Sequence, residues 1–265
     1  MTGTRLCLEA TALAADPLGP PRFQDIATAA GGPLAGMARH VRRLGVPAEG
    51  VHMAAAPLTS TADLALAALR RLGPPPGGGE TLVLLQSGYD QEHHTVPLPR
   101  VSQETEWEFT EEFGVSHATG PGGCAAVFAL LARVLAPGAR ATVLIADHSE
   151  YGFAPALPSG VVVAVRLVNG PGPWRLTPGR GAAPSAASAR RIDTGGPASG
   201  WAYALGLLSA RDAASHGPLL MCDAAEPADG PWTLLEPAPG AGPLRTGPVR
   251  TGAEPVAPLP TGAER

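Results

Sequence analysis

Short apolar runs alternate with stretches of helical spacing from residue 6 to residue 168, and that alternation restricts the chain to an α/β fold with a parallel sheet. Residues 6–11 read as a buried strand and residues 34–44 (LAGMARHVRRL) as a helix. A short strand over 51–54 precedes a helix over 61–72, with Ser60 or Thr61 as its N-cap. Residues 81–86 (TLVLLQ) form a buried strand. Residues 97–113 read as a polar surface helix, with Pro97 and Pro99 at its start and acids in its body. From Gly120 or Pro121 to Leu135 runs an alanine-rich helix, by composition the most buried in the chain, and residues 141–146 form the next strand. Asn169-Gly170 lies between apolar runs at 161–168 and 174–177, a hairpin-turn signal that predicts two antiparallel strands.

After a Gly/Ala/Ser-rich linker reaching Arg191, the pattern predicts a helix over 197–210 and strands over 218–223 and 231–235. Beyond Glu236 the chain is nearly all Pro, Gly, Ala, Thr and Arg, with Thr-Gly-Ala-Glu occurring twice, and is expected to be a disordered tail. Much of the content of 34 glycines and 30 prolines in 265 residues sits there and at 74–79, so the remainder reads as ordinary folded sequence.

All 19 basic residues are arginine, and the absence of lysine removes P-loop NTPases, Schiff-base and pyridoxal-phosphate enzymes, protein kinases and Ser-x-x-Lys acyl enzymes. A net charge of −4 with dispersed arginines gives no basic face for a nucleic acid. Cys7, Cys124 and Cys222 are far apart and form no Cys-x-x-Cys pair, so reduced thiols in a cytoplasm are expected. Glu9 interrupts the apolar opening, which argues for a first strand over a signal peptide. The longest apolar run, residues 124–135, contains Arg133 and is well short of the roughly 20 residues of a membrane span, so no membrane partner is expected.

Strand and helix alternating three times and closed by an antiparallel strand resembles one half of the thiolase fold, in which two such halves lie face to face. Residues 54–72 (AAAPLTSTADLALAALRRL), 82–103 and 117–127 (HATGPGGCAAV) resemble successive segments of a ketosynthase. The last of these falls where that family places its nucleophilic cysteine, at the tip of a buried helix. Residues 194–199 (TGGPAS), the helix after them and residues 219–232 resemble the end of the second half. The resemblance therefore implies an α/β thiolase-like fold, with a near-complete βαβαβαββ half over residues 1–170, an abbreviated half over 171–236 and the tail over 237–265. The missing middle of the second half is where such enzymes carry a catalytic histidine.

A ketosynthase needs a thiolate aided by the positive end of a helix, with His and His or Asn beside it. Aligned by its small residues, the buried helix puts Gly120 at the nucleophile position and Cys124 one turn deeper, where a cysteine is core. A register shifted by a few residues leaves Cys124 open as a displaced nucleophile served by His117 or His148. Thr119, Gly120, Gly122 and Gly123 form a tip able to hold an acyl or phosphopantetheine group against backbone N–H groups. Asp193 or Thr194 stands where the family has an asparagine, and the single asparagine, Asn169, is taken up by the turn. His93 and His94 with Asp90 and Glu92 read as surface loop, lacking a third well-spaced ligand. Asp147-His148-Ser149-Glu150 invites a metal or triad reading, but no Gly-x-Ser-x-Gly elbow accompanies it.

The resemblance thus implies a ketosynthase-like subunit, similar to chain-length factors, without condensing activity or a bound cofactor. It would pair with an active ketosynthase and meet acyl chains on the phosphopantetheine of acyl carrier protein or coenzyme A. The rivals are a small acyltransferase or condensing enzyme using Cys124, and a free-standing binding or scaffold protein.

Overall fold

The computed structural model describes residues 5–15, 23–28, 32–45, 47–49, 52–54, 60–86, 97–116, 120–148, 160–184, 189–193, 207, 217–222, 229–239 and 245–246. In chain order these give β1 (Leu6–Ala15), β2 (Phe23–Asp25), α1 (Gly32–Arg43), β3 (His52–Ala54), α2 (Thr61–Leu72), β4 (Glu80–Gln86), α3 (Pro97–Glu104) and β5 (Phe109–Ser116). There follow α4 (Pro121–Val134), β6 (Arg140–His148), β7 (Gly160–Asn169), β8 (Trp174–Arg180), β9 (Arg190–Asp193), β10 (Leu219–Cys222), β11 (Pro231–Pro237) and β12 (Arg245–Thr246).

One ten-stranded sheet runs β5-β4-β6-β7-β1-β8-β11-β10-β9, with β12 beside β1. Outward from β1, the first run places its last strand (β7), then β6, then β4 and β5; only β7 is antiparallel to the others. Outward from β8, the second run repeats the pattern with its last strand (β11), then β10, then β9, and among the described residues has no counterpart of β5. The expected β-α-β-α-β-α-β-β order is realised by β1, α2, β4, α3, β5, α4, β6 and β7.

Two apolar layers flank the sheet. On one face α4 lays Cys124, Val127, Phe128 and Leu131 on Val83, Val143, Val163 and Val165 and on Trp174, Met221 and Leu235, so one helix spans both strand runs. On the other face α2 and α3 cover Leu82, Leu84, Leu144, Val162 and Ala164. A bulge between Leu8 and Ala10 shifts the alternation of β1: Leu6 and Leu8 face α4, whereas Ala12 and Ala14 face α2. All ten residues of β7 are buried, as an inner strand covered on both faces requires.

Local chemistry fixes the helices. The Ser60 hydroxyl accepts the Asp63 N–H at 3.1 Å and caps α2, while Gly73, at φ 78°, ends it in a conformation that costs glycine little. Arg100 of α3 donates to the Asp63 carboxylate at 2.6 Å, joining the two helices. At the foot of β4 the carboxylate of Glu80, buried with Arg166, accepts from Arg166 Nε at 3.1 Å and from the Thr142 hydroxyl at 2.7 Å. The same guanidinium reaches the Gly73 carbonyl at 2.8 Å and lies 5.3 Å from the centroid of the Trp107 ring.

Several expectations change. The polar helix over 97–113 is two elements: α3 ends at Glu104, and Phe109–Ser116 is an edge strand pairing in parallel with β4. The Asn169-Gly170 hairpin does not form, because β1 lies between β7 and β8 and pairs with both. Gly170 N–H bonds to the Arg5 carbonyl at 2.9 Å, and the Asn169 side chain donates to the Leu135 carbonyl at 2.6 Å, satisfying a carbonyl at the end of α4. The connection then passes so near β1 that a Cβ at Gly172 would stand 2.6 Å from that of Cys7. The strand over 51–54 belongs to a separate two-stranded ribbon with β2. Arg190 and Arg191, read as the end of a linker, open β9, and order continues past Glu236, where Arg245–Thr246 pair with Ala10–Thr11. Of the helix expected over 197–210, the described residues include only Leu207, helical and buried.

Arg166→Ala should leave the Glu80 carboxylate buried without its cation and cost about 3–5 kcal/mol in urea unfolding. Replacing Glu80, Thr142 and Arg166 together by apolar residues should cost far less. Equal losses in the two variants would contradict the assignment of Arg166 and Glu80 as a mutually dependent pair.

Candidate functional site

α4 begins at an N-cap glycine, Gly120, which has φ −67° and ψ 173° and offers no side-chain cap. Pro121 at the first helical position presets the turn and has no N–H to satisfy. The N–H groups of Gly122 and Gly123 come next, in a first turn where donors have no intrahelical acceptor, and the helix dipole adds partial positive charge there. Gly122 is exposed, and a Cβ on it would stand 3.6 Å from Pro231 Cγ at the start of β11. The tip of α4 therefore lies where the second strand run approaches the first.

Cys124 is one turn further in, fully buried, and its N–H bonds to the Gly120 carbonyl at 3.1 Å. Burial pushes its thiol far above the ordinary cysteine range, and the negative charge of Asp147 on β6 pushes it further. Both influences oppose the thiolate, whereas a nucleophilic cysteine is arranged to favour it. The other thiols lie elsewhere. Cys7 is buried beneath Gly172, and burial raises its pKa too. Cys222 accepts from Arg191 Nε at 2.9 Å on the far side of the sheet.

The structure thus brings together Gly120, Gly122, Gly123, Cys124 and Asp147. His117 and Thr119 lie outside the described residues, as do His93, His94, Asp90, Glu92, Ser149, Glu150 and Thr194. His148 closes β6 opposite Gly160, and only its backbone is described. Asp193 pairs with Cys222 at the end of β9. Asn169 bonds at the C-terminal end of α4, opposite the glycine tip. The proximity of Asp147 to Cys124 went unnoticed in the sequence. Its only signal is topological: a crossover helix starts near the C-terminal ends of parallel strands, and Asp147 is next to last in β6.

No family model matches the sequence, and no curated protein is similar to it. Among solved structures, ChlB3, described as an acyltransferase, matches with a TM-score of 0.52 and 14% identity over 89% of this chain and 99% of that one. A variant of OleA from Xanthomonas campestris matches with a TM-score of 0.50 and 9% identity, again over 89% and 99%. MvaS in complex with 3-hydroxy-3-methylglutaryl coenzyme A matches with a TM-score of 0.41 and 23% identity over 68% of this chain; this chain spans 44% of its length. At these identities the likeness is one of fold.

The raised thiol predicts that Cys124 resists alkylation in the folded protein. At pH 8, iodoacetamide should label it roughly 100-fold more slowly than a free cysteine peptide, and unfolding should restore the rate. Peptide mapping by mass spectrometry reads the difference; native labelling at the free-peptide rate would contradict the burial.

Proposed function

For this chain, whose fold is that of the thiolase-like condensing enzymes, we propose a subunit that keeps the architecture of a ketosynthase without condensing by itself. The observation that carries this reading is the tip of α4. The positive end of the helix, where acyl-accepting chemistry needs a thiolate, presents Gly120, Pro121, Gly122 and Gly123, and the nearest cysteine is a turn deeper in the core. Asp147 adds negative charge where an ionised thiol would need positive charge. A tip of this kind still suits a passive task. With Thr119, the glycine N–H groups would hold the carbonyl or phosphopantetheine end of an acyl chain, delivered on acyl carrier protein or coenzyme A, without attacking it.

On this reading the partner is an active ketosynthase, and this chain, like a chain-length factor in polyketide or fatty-acid-like biosynthesis, helps to shape the acyl tunnel. Losing catalysis from one subunit leaves the fold and its pairing surfaces intact, because they rest on the sheet and not on the tip. The role is that of a cytoplasmic protein, and no helix among the described residues is long and apolar enough to cross a membrane. The fold likeness to ChlB3 makes an acyltransferase using Cys124 the rival.

A turnover assay separates the two. Supplied with acetyl-CoA and malonyl-acyl carrier protein, the chain alone should release carbon dioxide and form condensation product at the rate of the protein-free control. Turnover above that control, abolished by Cys124→Ala, would replace the proposal with the rival.

A further inference from the structure

The hydroxyl of Thr11 is buried without an answering group. Thr11 is 1% exposed, and its Oγ1 has no hydrogen-bond partner among the described residues. At this residue β1 is paired on both edges, with Val165 of β7 and Thr246 of β12, so the hydroxyl does not reach water at a sheet edge. A valine would fill the same space without the cost of taking a hydroxyl out of water. A buried polar group left so in a native core calls for a reason.

The strand register says which way this hydroxyl faces. Three rows cross β1, β7 and β6: Ala15, Val161 and Asp147; Leu13, Val163 and Ile145; Thr11, Val165 and Val143. Val143, Ile145, Val163 and Val165 belong to the layer under α4, and Leu13 packs against it. Ala12 faces α2, so alternation turns Thr11, like Leu13, toward α4, which packs directly on β1. β1 and β6 are parallel, so the row of Ala15 and Asp147 lies at the end of the sheet where α4 begins. Toward that end the surface opens: Thr11 is buried, whereas Leu13, Ala15, Asp147, Gly120 and Gly123 are half-buried and Gly122 is exposed. Thr11 thus stands about 13 Å below the opening row, one polar atom among apolar side chains.

We infer that Thr11 is a specificity-determining residue, and that the acyl chain held at the tip of α4 is an oxygenated one whose keto or hydroxyl oxygen meets the Thr11 hydroxyl. The chain runs from the glycine N–H groups down the α4 face of β1. A threonine hydroxyl donates to a keto oxygen and accepts from a hydroxyl, so both groups suit it, whereas a fully reduced chain leaves it unpaired. Mostly apolar walls with one placed polar group are the composition of a site that selects by such a contact. The inference deepens the reading of the tip as a holder of acyl groups, and rests on it.

Calorimetric titration tests it with octanoyl-CoA and a series of its hydroxylated and oxo forms, the oxygen moved one carbon at a time along the chain. At one position the oxygenated thioester should bind wild type roughly fivefold or more tightly than octanoyl-CoA. Thr11→Val should abolish that preference and leave octanoyl-CoA bound as before, and Thr11→Ser, which keeps the hydroxyl, should retain it. Octanoyl-CoA bound as tightly as every oxygenated form, or a preference that survives Thr11→Val, would overturn this inference and leave the acyl-holding reading standing. Failure of every thioester to bind would remove both.

Discussion

β1 is hydrogen-bonded along both edges, and the other elements of the main sheet take their places from it. On one side it holds β7 over nearly its whole length; on the other it holds β8 at its start and β12 further on. Two strand runs that would otherwise each expose an edge thereby share one sheet. The bulge after Leu8 has a second effect, because it puts Leu6 and Leu8 on the α4 face and Ala12 and Ala14 on the α2 face. An inner strand must offer apolar groups to both faces, and β1 does so with leucines and cysteine at one end and alanines at the other.

The character of the candidate site follows from that arrangement. A helix lying across the junction of the two runs buries one face, and Cys124 stands on that face. The glycines at its tip keep the N–H groups and the dipole but provide no nucleophile. The charge of Asp147 is felt at Cys124 because β6 follows α4 directly in the chain and Asp147 stands near its C-terminal end. At the start of that helix this sequence has a glycine, and a thiol whose pKa burial raises lies a turn behind it.

Long-range pairing explains what the sequence did and did not disclose. β4, β6 and β7 were legible because strands covered on both faces must be continuous apolar runs, and α4 was legible because 14 apolar-rich residues exceed the length of most strands. β5 was not, since an edge strand carrying Glu111 and Glu112 has no such run and its acids read equally well as an exposed helix face. Asn169-Gly170 carries a strong local turn signal, yet β1 inserts between the strands it would have joined; turn chemistry cannot announce a third strand. β9 and β12 are short polar segments held by partners remote in sequence. At the site, the depth of Cys124 could be read from helical spacing, whereas the approach of Asp147 depends on the crossover and had no local mark.

The central claim is that the fold persists here without an acyl-accepting thiolate, and the intact mass of the protein after exposure to acyl-CoA and acyl-carrier-protein donors tests it most directly. With a known ketosynthase acylated in parallel, the account predicts an unchanged mass for this chain. A thioester adduct that disappears in Cys124→Ala would contradict it and make Cys124 a working nucleophile.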